Sequence, residues 1–148
     1  MTNQKLIEKS LDKFKSLYDS LDRNTLSRDL LAEVYSEDIV FEDSLHKVEG
    51  LDALYDYFVK MYENVQSIQF EWQDIALNEA GGFIRWVMTF RHPRLKKGMG
   101  IEVVGVSFLK SRDGKIVEHR DFFDAGEMLY EQVPALGAVI RTLKKRVA

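Results

Sequence analysis

The stretch R-D-G-K-I-V-E-H-R-D-F-F-D, residues 112–124, decides the fold of this chain. Its Asp-Gly pair predicts a tight hairpin turn, and the residues after it predict a strand over Lys115–Phe123. Strict alternation along that strand gives one face Val117, His119, Asp121 and Phe123, and the other face Ile116, Glu118, Arg120 and Phe122. A carboxylate on the first, largely apolar face needs a partner or takes up a proton.

Two interpretations of His119 and Asp121 are open at this point. A histidine and an aspartate two residues apart can act together as a general acid and base near neutral pH. They can equally form a structural hydrogen bond that ties the strand to a helix. Asp43 follows Phe41 at the end of a short strand, and it is either a second candidate acid at a cavity mouth or an ordinary turn aspartate.

Further strand signals lie upstream of this stretch. Ile68, Phe70 and Trp72 alternate at a spacing of two, and the pattern slips by one before Ile75. That slip predicts a bulge near Gln73–Asp74. Two more strands are predicted over Phe83–Arg91 and Gly100–Leu109, with hairpin turns at residues 80–82 and 112–114. The four strands form a meander.

Helical spacing of apolar residues dominates the rest of the chain. The predicted helices cover Lys5–Leu21, a segment capped by Thr25 or Ser27 that extends through Tyr35, Leu51–Asn64, Asp124–Leu129, and a last helix from Pro134 to about Lys145. A turn at residues 36–38 and a short strand over Ile39–Phe41 separate the second and third helices. This order predicts an α+β fold, with helices against one antiparallel sheet, in a single domain of residues 1–148.

Composition excludes several kinds of site. The chain has 148 residues, 45% of them hydrophobic and 30% charged, which is typical of a globular protein with a sizeable core. It has no cysteine, so disulfides and thiolate chemistry are excluded, and its three scattered histidines argue against a metal site. We expect no metal and no cofactor. The net charge of −3 argues against nucleic-acid binding.

The sequence also gives expectations about location. The charged segment Met1–Leu11 lacks the apolar run of a signal peptide, and no window has the roughly 20 apolar residues that span a bilayer. We therefore expect a cytoplasmic protein with no membrane partner. The bases Arg141, Lys144, Lys145 and Arg146 end the last predicted helix, where cations suit the helix dipole without any partner.

Three other side chains are candidates for the site. Tyr18 lies on the apolar stripe of the first helix, where its hydroxyl either donates to a substrate oxygen or is satisfied within the core. Arg85 and Trp86 point to opposite faces of their strand, so one of them is expected to face the same cavity as Asp121.

Taken together, residues 113–124 and the placed elements resemble the nuclear transport factor 2-like superfamily, closest to its SnoaL-like branch. The resemblance covers about residues 5–130. In that branch an aspartate at the place of Asp121 lines the pocket, and Phe41-Glu42-Asp43 before a helix from Gly50 resembles the ketosteroid isomerase branch. The resemblance implies a cone-shaped, curved antiparallel sheet wrapped by the N-terminal helices. It further implies an apolar pocket for a small hydrophobic molecule, and a homodimer through the outer sheet face.

The active-site patterns of such proteins match this sequence in part. Tyr18 and Asp43 match two of the three roles in ketosteroid isomerases, but the strand with Ser107 offers no third acid on that face. The Arg-x-Asp of limonene epoxide hydrolases is broken, because Val87 stands two residues after Arg85. Asp121 matches the base of SnoaL-type cyclases, with His119 beside it.

Three functions remain as hypotheses. The first is acid–base catalysis of isomerisation, aldol cyclisation or dehydration on a small hydrophobic carbonyl compound. Its candidate catalytic residues are Asp121, His119, Asp43 and Tyr18, and its candidate substrate-binding residues are Trp86, Phe41, Phe123 and Arg85. The second is a non-catalytic ligand-binding or dimerisation domain, and the third is a protein-binding module of the nuclear-transport type.

Overall fold

The structure is a computed structural model that describes residues 2–148. Its helices are α1 (Asn3–Ser20), α2 (Arg28–Ala32), α3 (Leu51–Asn64), α4 (Ala125–Met128) and α5 (Pro134–Val147). Its strands are β1 (Tyr35–Glu42), β2 (Lys47–Glu49), β3 (Ser67–Leu77), β4 (Gly81–Arg91), β5 (Ile101–Arg112) and β6 (Lys115–Phe123). Short 3-10 turns cover Lys96–Gly98 and Tyr130–Gln132. The predicted domain starts at Met1, which lies outside the described residues.

The strands form one curved, unclosed sheet in the order β2-β1-β6-β5-β4-β3. Four of the five strand pairs are antiparallel, whereas β1 and β6 run parallel. The α+β class is therefore confirmed, with one correction to the expected purely antiparallel sheet. The parallel pair arises because α3 and the meander lie between β1 and β6 in the chain, as a crossover connection requires.

Helices α1 and α3 cover one face of the sheet, and the core lies between these helices and that face. The inner residues of β4 and β5, such as Ile84, Trp86 and Val103, are buried, whereas their outer neighbours Arg85 and Val104 are exposed. Phe14 from α1 and Phe58 from α3 are almost fully buried in the same core. This is the period-two burial of a sheet with one packed face.

Two bulges shift the register of the meander. Trp72 pairs with Trp86 and Ile75 with Ile84, so β3 has one extra residue there and the predicted bulge at Gln73–Asp74 is confirmed. A second bulge, at Val117, was not predicted: Ser111 pairs with Ile116, whereas the preceding Lys110 pairs with Glu118.

The bulge at Val117 corrects the predicted faces of β6. It turns Ile116 to the inner face, where Ile116 is only 1% exposed. The backbone N–H of Ile116 donates to the carbonyl of Val34 at 2.9 Å. Beyond the bulge His119 lies on the inner face, as the alternation predicted. A single extra residue is therefore what brings Ile116 and His119 to the same side.

The segment between α1 and α3 differs most from the sequence prediction. Ser27 caps α2 as expected, accepting a hydrogen bond from the backbone N–H of Leu30, but the helix ends at Ala32. Tyr35 opens β1 instead of closing a helix, and the predicted turn at residues 36–38 lies within that strand. The irregular segment after Glu42 contains the short strand β2.

Candidate active site

A chain of buried hydrogen bonds connects α1 to the sheet. The hydroxyls of Tyr18 and Tyr35 are 2.7 Å apart, and the Tyr35 hydroxyl is 2.8 Å from Nδ1 of His119. The other ring nitrogen of His119, Nε2, is 2.6 Å from Oδ1 of Asp121. His119 is 1% exposed and Asp121 19% exposed, so the chain leads from the core towards the surface.

A second branch reaches the same carboxylate oxygen from β4 and β5. The indole N–H of Trp86 donates to Oγ of Ser107 at 2.9 Å, and Ser107 donates to Oδ1 of Asp121 at 2.5 Å. Gly105 makes this branch possible, because a Cβ at that position would collide with the Trp86 ring. We call the six connected residues the Asp121 network; they are Tyr18, Tyr35, Trp86, Ser107, His119 and Asp121.

The donors and acceptors of the Asp121 network have one consistent assignment when Asp121 is ionised and His119 is neutral. A carboxylate only accepts, so a neutral His119 donates from Nε2, and its Nδ1 then accepts from Tyr35. Tyr35 in turn accepts from Tyr18. Burial raises the pKa of both tyrosines well above the ordinary value, which keeps them protonated donors. All of these protons point along the chain towards Oδ1 of Asp121.

The second oxygen of Asp121 is not used by the protein. Across residues 2–148, Oδ2 of Asp121 has no hydrogen-bond or ion-pair partner, whereas Oδ1 has two. Hydrogen bonds from His119 and Ser107 therefore fix the orientation of the carboxylate and leave Oδ2 free. This is the arrangement that a positioned proton acceptor requires.

Aromatic side chains enclose the His119 ring. Phe41 and Phe14 meet it edge to face, at centroid distances of 4.8 and 5.2 Å, and Tyr35 stacks on it at 5.9 Å. Such surroundings exclude water and strengthen hydrogen bonds, but they also make any unpaired polar atom costly. Across residues 2–148, no buried side-chain nitrogen or oxygen lacks a partner.

Asp43 belongs to a separate group, which we call the turn cluster: Asp43, His46 and Tyr57. Oδ1 of Asp43 accepts from the backbone N–H groups of Leu45 and His46, at 2.8 and 2.7 Å. Oδ2 of Asp43 accepts from the Tyr57 hydroxyl at 2.6 Å. Oδ1 is therefore occupied in forming the turn between β1 and β2, which matches the turn interpretation of this aspartate, and Oδ2 is occupied by Tyr57 from α3.

Tyr57 packs between the turn cluster and the Phe41 ring, which contacts His119. Burial, followed by the hydrogen bond to Asp43, raises the pKa of Tyr57, and the charge of Asp121 makes a smaller contribution. Its ring also packs on Phe41, at a centroid distance of 5.5 Å. Unlike Tyr18, Tyr57 is only half-buried. The Tyr57 side chain is therefore more accessible to solvent than that of Tyr18.

The remaining predicted site residues have different positions. Trp86 and Phe41 lie inside, Trp86 within the network and Phe41 against His119. Phe123 is half-buried and packs against the smaller core cluster that contains Phe90. Arg85 does not join the site: it lies on the outer face and forms an ion pair with Asp74 at 2.6 Å.

The interior beside Trp86 is filled with aromatic rings. Phe70 stacks on Trp72 at 5.0 Å and meets Trp86 edge to face at 5.6 Å. Surface grooves of about 320 and 330 Å³ lie elsewhere, between α1 and α2 and beside the β3–β4 hairpin. Neither groove is lined by Asp121 or His119. Within residues 2–148, no three potential ligands are grouped to hold a metal ion.

Sequence reasoning missed Tyr35, Ser107 and Tyr57. The apolar spacing predicts a helix through Tyr35, and a helical Tyr35 would not place its hydroxyl next to His119, as the strand β1 does. Ser107 was placed on the same strand face as Val103 and Gly105, and pairing β5 with β6 in register would have set it opposite Asp121. Tyr57 was assigned only to the apolar stripe of α3.

The curved sheet covered by N-terminal helices is the architecture of nuclear transport factor 2-like proteins. A family model for a SnoaL-like domain matches residues 14–119. The chain therefore belongs to the SnoaL-like family. The match ends at His119, two residues before Asp121. No match to a functionally curated protein was found.

Solved structures support the same fold. A provisionally assigned SnoaL-like polyketide cyclase from Jannaschia sp. CCS1 has a TM-score of 0.68 at 16% identity, covering 80% of this chain and 88% of its own. An LEH-like epoxide hydrolase from M. tuberculosis has a TM-score of 0.68 at 15% identity, with 92% and 98% covered. An NTF2-like protein of unknown function from Exiguobacterium sp. 255-15 has a TM-score of 0.62 at 23% identity, with 78% and 98% covered.

The buried tyrosines predict a loss of stability in alkali. Burial raises the pKa of Tyr18, Tyr35, Tyr57 and Tyr62 above the ordinary value of 10.0. Above that pH the unfolded chain releases protons that the folded chain retains, so the free energy of unfolding falls as pH rises. Each tyrosine contributes up to about 1.4 kcal/mol per pH unit.

Urea unfolding between pH 8 and 11 measures this effect. We expect stability to be flat below about pH 9.5 and to fall above it. The variant Tyr62→Phe removes one of the four groups, so its decline is expected to be shallower than that of the wild type. Equal slopes for the two proteins would contradict the assignment.

Proposed function

We propose that this chain is an acid–base catalyst, acting without a cofactor, on a small hydrophobic carbonyl compound. The observation that carries the proposal is the Asp121 carboxylate, held on Oδ1 by two protein donors with Oδ2 left free. The names of structural relatives, which include a polyketide cyclase and an epoxide hydrolase, support a catalytic role in general and no particular substrate.

The proposed step is removal of a proton next to a carbonyl group. The C–H bond breaks, the proton goes to Oδ2 of Asp121, and the electron pair forms an enolate whose charge rests on the carbonyl oxygen. Tyr57 is the candidate donor to that oxygen; its side chain is half-buried, and its one hydroxyl proton would turn from Oδ2 of Asp43, which accepts it at 2.6 Å, to the enolate oxygen. His119 orients the Asp121 carboxylate through its contact with Oδ1 and does not contact the substrate.

Three outcomes of the enolate fit the sequence hypotheses. Return of the proton to another carbon gives isomerisation, attack on a second carbonyl gives aldol cyclisation, and loss of a β-hydroxyl gives dehydration. All three begin with the same proton transfer. Exchange of α-hydrogens for deuterium therefore tests the proposal before the natural substrate is identified.

The experiment uses 2-decalone as a hydrophobic ketone in D₂O. Proton NMR follows the loss of its α-hydrogen signals with native protein, with heat-denatured protein and with buffer alone. Exchange that is faster only with native protein supports the proposal. Equal exchange in all three, across a series of cyclic and aromatic ketones, would count against it.

The densely packed interior favours a second candidate function. Because Phe70, Trp72 and Trp86 fill the space beside the network, the chain is alternatively a non-catalytic small-ligand-binding or dimerisation domain whose polar network stabilises the fold. Native mass spectrometry of purified protein tests this alternative. A tightly bound molecule that is recovered unaltered after incubation supports ligand binding, and a dimer without any bound molecule supports the dimerisation domain.

A homodimer through the outer sheet face is also proposed. Phe83, Val104 and Phe122 are each about half exposed on that face, at 48%, 49% and 48%. Contiguous apolar surface of this kind typically marks an interaction site. We further propose a cytoplasmic location, which the absence of cysteine supports.

Light scattering after size exclusion tests the homodimer. Wild-type protein is expected to have twice the mass of the 17.2 kDa chain, and Val104→Asp with Phe122→Asp is expected to give monomer. The matched control is Glu102→Gln, a change at another exposed position on the same strand, which should leave the dimer intact. A monomeric wild type at all concentrations would refute the interface.

A further inference from the structure

The last helix, α5, presents its apolar side to solvent instead of to the core. Four apolar residues at helical spacing form an exposed surface, which we call the α5 stripe: Leu136, Val139, Leu143 and Val147. Their exposed fractions are 42%, 54%, 51% and 86%. An amphipathic helix normally buries such a stripe against its own fold. Here the stripe is left uncovered by residues 2–148.

The side of α5 that does pack against the protein is mostly small and polar, with Ile140 half-buried beside Gly126. Gly137 lies against the backbone carbonyl of Glu131, where a Cβ would collide. Lys144 bridges the carboxylates of Asp124 and Glu131, at 3.6 and 3.1 Å, and Arg141 donates to the carbonyl of Glu131 at 3.1 Å. These contacts fix the orientation of the helix and direct the α5 stripe outward.

The charge of α5 differs sharply from that of the rest of the chain. The helix contains four bases and no acidic residue, so it carries +4. Because the whole chain carries −3, the remainder carries −7. Lys145 and Arg146 are exposed, and within residues 2–148 neither has a salt-bridge partner. The apolar stripe therefore ends beside cationic side chains that point to solvent.

We propose that α5 binds the surface of an anionic lipid bilayer, lying in the interface with the α5 stripe against the acyl chains. An exposed apolar stripe, a polar face rich in bases and the absence of acidic residues are the features of an interfacial helix. The bases complement the negative surface of such a bilayer. This inference revises the sequence-based expectation of no membrane partner.

The charge argument favours a lipid surface over a second copy of the chain. The exposed bases at the end of α5 are complementary to an anionic surface, and the side chains of an identical α5 supply no acidic group. Bringing two copies of α5 together would add cations to cations. A dimer through α5 is nevertheless a measurable outcome, and the experiment includes it.

Flotation with vesicles tests the proposal on the full chain. One set of vesicles is phosphatidylcholine alone, and the other contains phosphatidylglycerol as well. We expect wild-type protein to float with the anionic vesicles, to stay behind with the neutral ones, and to be released by high salt. The double variant Val139→Glu with Leu143→Glu is expected to lose binding. Because both side chains are exposed, its circular dichroism should match the wild type.

Substitution of basic residues in α5 and in α1 separates binding through α5 from nonspecific attraction of the whole chain to the vesicles. Lys145→Gln with Arg146→Gln is expected to weaken binding to anionic vesicles about 25-fold, since each base near the surface contributes about five-fold. The matched control Lys9→Gln with Lys13→Gln removes the same charge from exposed positions on α1 and should leave binding unchanged.

Three results would overturn the proposal. The first is wild-type protein that fails to float with anionic vesicles. The second is flotation that survives Val139→Glu with Leu143→Glu, or that falls equally in the α1 control. The third is self-association that these α5 substitutions abolish while no lipid binding occurs, which would assign the α5 stripe to a second copy.

Discussion

Replacing Asp121 by asparagine is expected to lower the rate of ketone α-hydrogen exchange by about 10²–10⁴-fold, the usual contribution of a positioned general base. Asparagine keeps the size and shape of the side chain. Its amide oxygen can still accept from His119 and Ser107, so the network stays connected. What is lost is the free basic oxygen, which becomes an amide nitrogen that cannot accept a proton.

The fold of this variant is expected to change little. Hydrogen bonds to a neutral acceptor are weaker than those to a carboxylate, so we expect about 1 kcal/mol of lost stability in urea unfolding. The matched control is Asp74→Asn, the same substitution on the outer face beside Arg85, which should leave exchange unchanged. If Asp121→Asn lowered stability by several kcal/mol but left exchange intact, the network would be structural and the catalytic proposal would fail.

Local signals were sufficient to predict most elements of the fold. The Asp113-Gly114 turn adopts the positive φ angles that a tight hairpin requires, at 52° and 79°, and the strand after it begins and ends as predicted. The α3 helix likewise has its predicted bounds, starting after Gly50 at a φ of 92°. In each case the deciding information lies within a few residues of the element.

The features that the sequence did not predict depend on pairing between strands that lie far apart in the chain. Tyr35 has the helical spacing of a residue in α2, yet its pairing with Ile116 draws it into β1. The bulge at Val117 depends on how β5 and β6 align, and the Val117 side chain carries no local signal for a bulge. Sequence alone therefore identified His119 and Asp121 as a pair but could not identify the partners that orient them.

The same limit explains Arg85 and Asp43. Strand alternation gave two faces to β4 but no way to decide which one faced the core; the pairing of the sheet turned Trp86 inward and Arg85 towards Asp74. Asp43 was correctly placed at the end of a strand, but its role depends on Tyr57, which arrives from α3. Residue type predicted the chemistry, and tertiary contacts determined which atoms are free.

A graded loss of stability along the Asp121 network is the second large effect that we expect. Replacing His119 by alanine should cost about 3–5 kcal/mol, the largest loss of the series. The substitution removes a ring in contact with Phe14 and Phe41 and leaves the Tyr35 hydroxyl and Oδ1 of Asp121 each short of a partner. Urea unfolding with an unchanged m value is the measurement.

The tyrosines should follow in an order set by how many hydrogen bonds each hydroxyl makes. Tyr35→Phe leaves both the Tyr18 hydroxyl without an acceptor and Nδ1 of His119 without a donor, so we expect a loss of about 1–3 kcal/mol. Tyr18→Phe removes only the terminal donor, so its cost should be the smaller of the two. The control His46→Ala alters an exposed histidine and should stay within about 0.5 kcal/mol of the wild type.

The two tyrosine variants test whether the buried chain forms as described, because the Tyr35 hydroxyl makes two hydrogen bonds in it and the Tyr18 hydroxyl makes one. If Tyr18→Phe cost more than Tyr35→Phe, the Tyr35 hydroxyl would not bridge Tyr18 and His119. That result would also remove the argument that the buried chain orients the carboxylate of Asp121. The expected order of the two tyrosine variants in stability, together with an Asp121→Asn variant that folds but exchanges α-hydrogens slowly, supports a specific role for the buried chain. It orients one carboxylate, and the second oxygen of that carboxylate remains available to a substrate.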